Sequence, residues 1–325
     1  MKTFWAIIFT CISFSSPADS TWLEGETFHP STNTEVIWEA TNDLPNGLWV
    51  YKVIPEAFSA AVVSNAMRIG NFTMKNYSKT SESIFQDKHL LYFFDWNNAS
   101  NHVRRFLYIA PTLGAMQYSS GRDYNARVEA VPTADEAQKM AEDVLFQLGI
   151  DRELYYHPLT GYDETSIQFK YDRQTHQLIQ PGTTNVTLRG VAFARRIDGV
   201  RESRGWCFMI HFRSHGEIED FSLYWRNLLP LVSHPTLTPS QIVKAIKDGQ
   251  AMLPPQFDDV AGIADAKAFT VTKITPRYFN GTGKEQMDFL KPYAELEMRA
   301  DFATNSATFF LTCPILSTNA ITANK

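Results

Sequence analysis

The densest chemistry in this 325-residue chain is basic. Between positions 189 and 213 lie Arg189, Arg195, Arg196, Arg201, Arg204 and Arg213, faced within that window only by Asp198 and Glu202. The whole chain carries a formal net charge of −5, so this surplus of about four positive charges is local. A guanidinium presents a fixed fork of donors that matches carboxylate, sulfate or phosphate oxygens two at a time. Arg195, Arg196, Arg201 and Arg204 are therefore the candidate ligand-binding residues, and an anionic group is the candidate ligand. Trp96, followed by Asn97 and Asn98, is a second candidate, because an indole offers an apolar face and a polar edge to a sugar.

Other spacings point to chemistry less well. Cys207, His211 and His215 have a four-residue period that would gather metal ligands on a helix. Their segment alternates like a strand, however, where each step of four spans ~13 Å at ~3.3 Å per residue. One ion does not bridge that, and no metal site is expected. Glu217/Glu219 and Glu295/Glu297 each share a strand face, which fits a solvated face better than two carboxyls across a cleft. Gly281-Thr-Gly-Lys284 matches part of a phosphate loop but lacks its first glycine and the Ser/Thr after the lysine. With neither a G-x-S-x-G elbow nor H-E-x-x-H in the sequence, no catalytic residues or cofactor are assigned. An extracellular hydrolase stays open as the alternative, its site assembled from separate strands by His89, His211, Asp220 or Glu295.

Three helices are expected to position these residues. The first runs from Pro55 to Ile69, the second follows a capping box at Thr133 and Glu136 and ends at Gly149, and the third follows Thr238, Pro239 and Gln241. Alternating runs after each helix predict strands, among them His89–Asp95, Trp206–Phe212 and Tyr293–Arg299. The repeated order of helix then strands gives an α+β expectation: two to three repeated units of one helix packed on a curved antiparallel sheet. The units would span residues 21–130, 131–232 and 233–325.

Pro132-Thr-Ala-Asp-Glu-Ala137, Phe193-Ala-Arg-Arg-Ile-Asp-Gly199 and Gly216-Glu-Ile-Glu-Asp-Phe221 resemble helix-plus-sheet units of the PepSY type. They also resemble the tandem units of the bacterial YycI/YycH regulatory proteins and, more closely, uncharacterised secreted fungal proteins. The resemblance covers about half the chain and implies an extracytoplasmic binding or inhibitory fold rather than an enzyme.

The ends and the composition suggest the compartment. Lys2, the apolar run Phe4–Phe14 and the small residues Ser15–Ser20 form an export signal over residues 1–20. The run is about eleven residues, too short for a bilayer that needs ~20, so no membrane span is expected. A net-acidic chain also argues against nucleic acid as partner. Cys207 and Cys313, left once the signal is removed, fit either one disulfide or two buried thiols. Sequons at Asn71, Asn76, Asn98, Asn185 and Asn280 are candidate N-glycosylation sites. The sequence thus predicts a secreted, extracellular, non-enzymatic binding protein for a peptide, polyanion or glycan.

Overall fold

The protein is described from a computed structural model. It describes residues 25–316 except 56–57, 79–86, 88, 98–102, 122–127, 157–158, 168–169, 173–176, 180–183, 203–205, 255–262, 264 and 279–286. The expected signal segment, Arg204, and the sequons at Asn98 and Asn280 lie outside the described residues.

The second and third helices form where their caps predict, whereas the first starts later than its expected beginning at Pro55. Helix α1 (Ala60–Ile69) begins when the Ser59 side chain accepts from the Val62 N–H, five residues after Pro55. Helix α2 (Ala134–Gln147) and helix α3 (Pro239–Lys247) each carry the expected capping box, closed by Glu136 on Thr133 and by Gln241 on Thr238. Each box satisfies donors that the first turn leaves without an intrahelical partner.

Strands, however, dominate the fold. An eight-stranded antiparallel sheet runs in the order Tyr77–Ser78, Leu91–Asn97, Val103–Ala110, Ala115–Ser119, Ile218–Tyr224, Phe208–Phe212, Thr184–Phe193, Leu159–Ile167. Alternation places Phe208, Ile210, Phe212, Phe221 and Leu223 on one face, where they pack with Ala137, Ala141, Val144 and Leu145 of α2 and Ala66 of α1. Both helices therefore cover one sheet, and the Asn65 amide of α1 donates to the Gln147 carbonyl at the end of α2 at 2.6 Å.

A second core combines both ends of the chain. Its six-stranded sheet has the order Glu26–Thr27, Met252–Leu253, Ser306–Pro314, Pro292–Asp301, Ala268–Tyr278, Glu35–Trp38. The last pair is parallel, with Ala268 opposite Glu35 and Val271 opposite Trp38. Asn42 reinforces it, since its Oδ1 accepts from the Ile274 N–H at 3.2 Å and its amide donates to the Ile274 carbonyl. A three-stranded sheet, Asn227–Pro235, Gly47–Ile54 and Phe289–Leu290, joins this core, as do Ile242, Ala245 and Ile246 of α3.

The expectation of repeated one-helix units is therefore wrong. The fold is mostly β, two helices share one sheet, and the expected limit at 130/131 falls within a sheet whose strands run from Tyr77 to Tyr224. Helix caps are local signals, whereas pairings such as Glu35 with Ala268 are non-local and leave no mark on either segment alone.

The disulfide option is also corrected. Cys207 and Cys313 are buried free thiols, Cys207 in the core of the eight-stranded sheet and Cys313 in the second core. Burial pushes the Cys313 thiol up to about 12, which makes the reactive thiolate scarce. Neither thiol should react with a disulfide reagent in the folded protein, and both should titrate after denaturation without reductant. A denatured chain with no titratable thiol would contradict this placement.

Candidate functional site

Three of the nominated arginines, Arg195, Arg196 and Arg201, lie in or next to one small hairpin that joins the two cores. The strand Thr184–Phe193 leaves the eight-stranded sheet and continues into a hairpin of Arg196–Ile197 against Val200–Arg201. Asp198 and Gly199 form its turn with φ of 50° and 75°. Two successive positive φ values are what a tight hairpin turn needs, and Asp-Gly supplies them cheaply. The hairpin's inner residues, Ile197 and Val200, are buried in the second core. Its end is docked by a parallel bridge between Glu202 and Tyr278.

Polar contacts hold the turn. The Tyr51 hydroxyl donates to the Asp198 carboxylate, and the Tyr156 hydroxyl donates to the Gly199 carbonyl at 2.5 Å. Burial, followed by the Asp198 contact, pushes the Tyr51 hydroxyl far above its ordinary value, so it remains a donor. Tyr51 also meets Tyr278 edge-on, with ring centroids 5.7 Å apart.

Arg195, expected to bind ligand, is structural. It is buried at 9% exposure, its Nη1 donates to the Arg226 carbonyl at 2.7 Å, and its guanidinium lies 4.3 Å from the Trp225 ring. Glu202 is 4% exposed and Arg226 2%, and the Glu202 Oε1 atom has no hydrogen-bond partner. Burial raises the Glu202 carboxyl above its ordinary value, and Arg195 and Arg226 oppose that rise. Cys207 lies nearby, its thiol raised first by burial and then by Glu202.

Arg196 and Arg201 have different surroundings. Arg196 is exposed and lies 4.6 Å from the Tyr156 ring. Arg201 lies 5.0 Å from the Trp206 ring and is electrostatically coupled to Arg277 and Glu295. Its guanidinium is pushed down by burial and then by Arg277, with Glu295 acting the other way. Arg277 pairs with Glu295 at 3.5 Å, at side-chain exposures of 15% and 10%. The Nε atoms of Arg201 and Arg277 are both buried without a hydrogen-bond partner. Among the described residues, Glu295 thus pairs with one guanidinium and acts electrostatically on a second, and two buried Nε donors are left unsatisfied.

The other candidates lie apart. His211 and Asp220 face each other across neighbouring strands, with His211 Nδ1 2.7 Å from Asp220 Oδ1. Such a carboxylate fixes the orientation of the ring. Glu295 belongs to the six-stranded sheet and His89 to the turn before Leu91, so the four residues nominated for hydrolysis form no single group. His215 sits in a turn with φ of 56°, away from the buried Cys207. Glu219 is not solvated but buried, paired with Arg213 at 3.5 Å. The same holds for Glu295, whose partner Arg277 lies on the neighbouring strand of the six-stranded sheet, 3.5 Å away.

Trp96 lies on the strand Leu91–Asn97 opposite Arg104; its side chain is outside the described residues. On that strand Tyr92 stacks on Tyr108 at 4.5 Å and on Phe94 at 5.5 Å, so these rings turn their faces to one another. Asn71 is exposed with φ of 52°, whereas the Asn76 side chain accepts from the Thr73 N–H at 2.9 Å. Asn185 lies in strand Thr184–Phe193 opposite Ser166.

Sequence reasoning missed Arg277, and it missed Trp206 and Tyr156 as partners of the arginines. Tyr156 lies well before the hairpin and Arg277 well beyond it, so neither enters a local charge window. No protein-family model matches the chain, and no curated protein matches it. Among solved structures it is similar to the crystal structure of an uncharacterized protein from Eubacterium rectale. The identity is 14%, the TM-score is 0.44, and the match covers 86% of this chain and 85% of that one.

The buried charges make a testable cluster. Removing one partner of a buried pair leaves the other uncompensated, at a cost of ~3–5 kcal/mol, and Arg195→Met should lose stability on that scale. Glu202 has a folded pKa above its ordinary 4.5. Its contribution is therefore full below that pH and is lost as pH rises through the folded value. Glu202→Gln should flatten the fall of stability with rising pH in urea unfolding; parallel wild-type and variant curves would contradict the assignment.

Proposed function

We propose that this chain is a secreted, non-enzymatic binding protein for an anionic ligand, a sulfated or otherwise acidic glycan being the first choice. The observation that carries the proposal is the Arg201–Arg277 pair: among the described residues Glu295 pairs with Arg277 and acts on Arg201, and both Nε atoms lack a partner. An oxyanion bound there would balance the two guanidinium charges and accept hydrogen bonds from their Nη donors. Exposed Arg196, opposite Arg201 in the hairpin, would extend the contact.

The aromatic supports suit such a role. A ring beneath each guanidinium of Arg196 and Arg201 favours the cation and fixes the plane of its donor fork before the ligand arrives. Less ordering then remains to be done on binding. Export, suggested by residues 1–20, would place the site before extracellular polyanions. No helix among the described residues is long and apolar enough to cross a membrane.

Binding of a sulfated oligosaccharide should be detectable by calorimetry and should weaken as salt rises. Arg201→Ala and Arg277→Ala should each reduce affinity about tenfold or more and lessen the salt dependence. Arg201→Lys keeps the charge but loses the fork; it should weaken binding while leaving the salt dependence near that of wild type. Equal affinity for the unsulfated oligosaccharide, or no effect of either alanine variant, would overturn the proposal.

A further inference from the structure

At the other edge of the second core, a cavity is built by the segment that follows the strand Glu26–Thr27. That strand pairs with Met252–Leu253, Glu26 opposite Leu253 and Thr27 opposite Met252. The Phe28 N–H donates to the Ala251 carbonyl at 2.8 Å. This bond turns the Phe28 ring inward, where it meets Phe269 edge-on at 5.1 Å and Phe309 at 5.8 Å.

Two glycines hold the segment in place. A Cβ at Gly25, whose φ is +136°, would stand 1.9 Å from the Leu253 carbonyl oxygen. A Cβ at Gly249, whose φ is +71°, would stand 2.1 Å from His29 Cε1. The strand start therefore presses on bare backbone at one glycine, and the His29 ring lies against bare backbone at the other. Gly25 is needed for room against backbone as well as for its positive φ, and Gly249 for its positive φ.

The cavity so formed has a volume of about 370 Å³. Phe28, Phe269, Leu253 and Ile263 make its apolar part, and all four are buried. His29 and Ser31 stand at its exposed rim with Thr27. Its volume lies within the ~300–1,000 Å³ usual for small-molecule sites, which combine apolar walls with a few polar groups. At ~30 Å³ per water it matches about a dozen waters, the size of a ligand with roughly that many non-hydrogen atoms. No Lys, Arg, Asp or Glu among the described residues lines it, and an unpaired charge placed against these walls would be costly.

We infer that this cavity binds a small neutral aromatic molecule bearing one hydroxyl group, a phenol in chemical class. The ring packs on Phe28 and Phe269, and the hydroxyl reaches the His29 and Ser31 rim. The site is separate from the arginine pair and does not rest on the anion-binding proposal.

The test is titration of the whole protein with p-cresol by calorimetry, with toluene and p-toluenesulfonate as controls. Saturable one-site binding to p-cresol is expected, at least tenfold weaker for each control. Ser31→Trp, an exposed rim substitution, should weaken p-cresol at least tenfold, and Thr27→Trp repeats the block from the neighbouring strand. Arg201→Lys should leave p-cresol affinity unchanged, which separates this site from the arginine pair. Unsaturable binding, equal affinity for the sulfonate, or full affinity in both folded tryptophan variants would overturn the inference.

Discussion

The insertion of the 196–201 hairpin into the second core is the constraint on which this structure depends. Its stem belongs to the eight-stranded sheet, while Ile197 and Val200 are buried among residues from both ends of the chain. Burying two aliphatic side chains contributes about 3–6 kcal/mol, and the alternation of the strands then fixes the directions of their neighbours. Arg195 and Glu202 are carried into the interior, and Arg201 is brought beside Arg277. A burial of charge that would be costly alone is tolerated because hydrogen bonds, a tryptophan face and two arginines surround it.

The arginine surplus thus divides into two kinds of work. Arg195 and Arg226 serve the joint between the sheets, with donors spent on backbone carbonyls. Arg201 and Arg277 keep donor capacity in hand. Equal side chains a few residues apart take these different roles because a hairpin strand sends neighbours to opposite faces. Val200 points into the core and Arg201 away from it, so position on the strand decides which guanidinium can meet a ligand.

Helix positions were legible in the sequence because caps and boxes act over three residues: Thr133 with Glu136, Thr238 with Gln241. The strands around Phe208 and Phe221 were legible from their alternation. Strand pairing was not. Glu35 lies beside Ala268 and Asn42 binds Ile274, contacts whose two halves look ordinary when read separately. The segments resembling PepSY-type units, Pro132–Ala137 and Phe193–Gly199, turn out to be the α2 cap and the joining hairpin. The site was half legible: the charge window located the hairpin, but it could not tell buried Arg195 from Arg201 or supply Arg277. The two thiols could not be placed in separate cores without knowing that the strand after Cys207, Phe208–Phe212, and the strand that holds Cys313 belong to different sheets.

Hydrogen exchange with and without a sulfated disaccharide tests the central claim most directly, because it reads the hairpin and the sheet it docks on together. If the hairpin both joins the cores and presents the anion site, bound ligand should slow exchange at Val200, Arg201 and Glu202 and at Tyr278 in concert. Protection confined to another part of the molecule, or binding that leaves these four amides unchanged, would contradict the account.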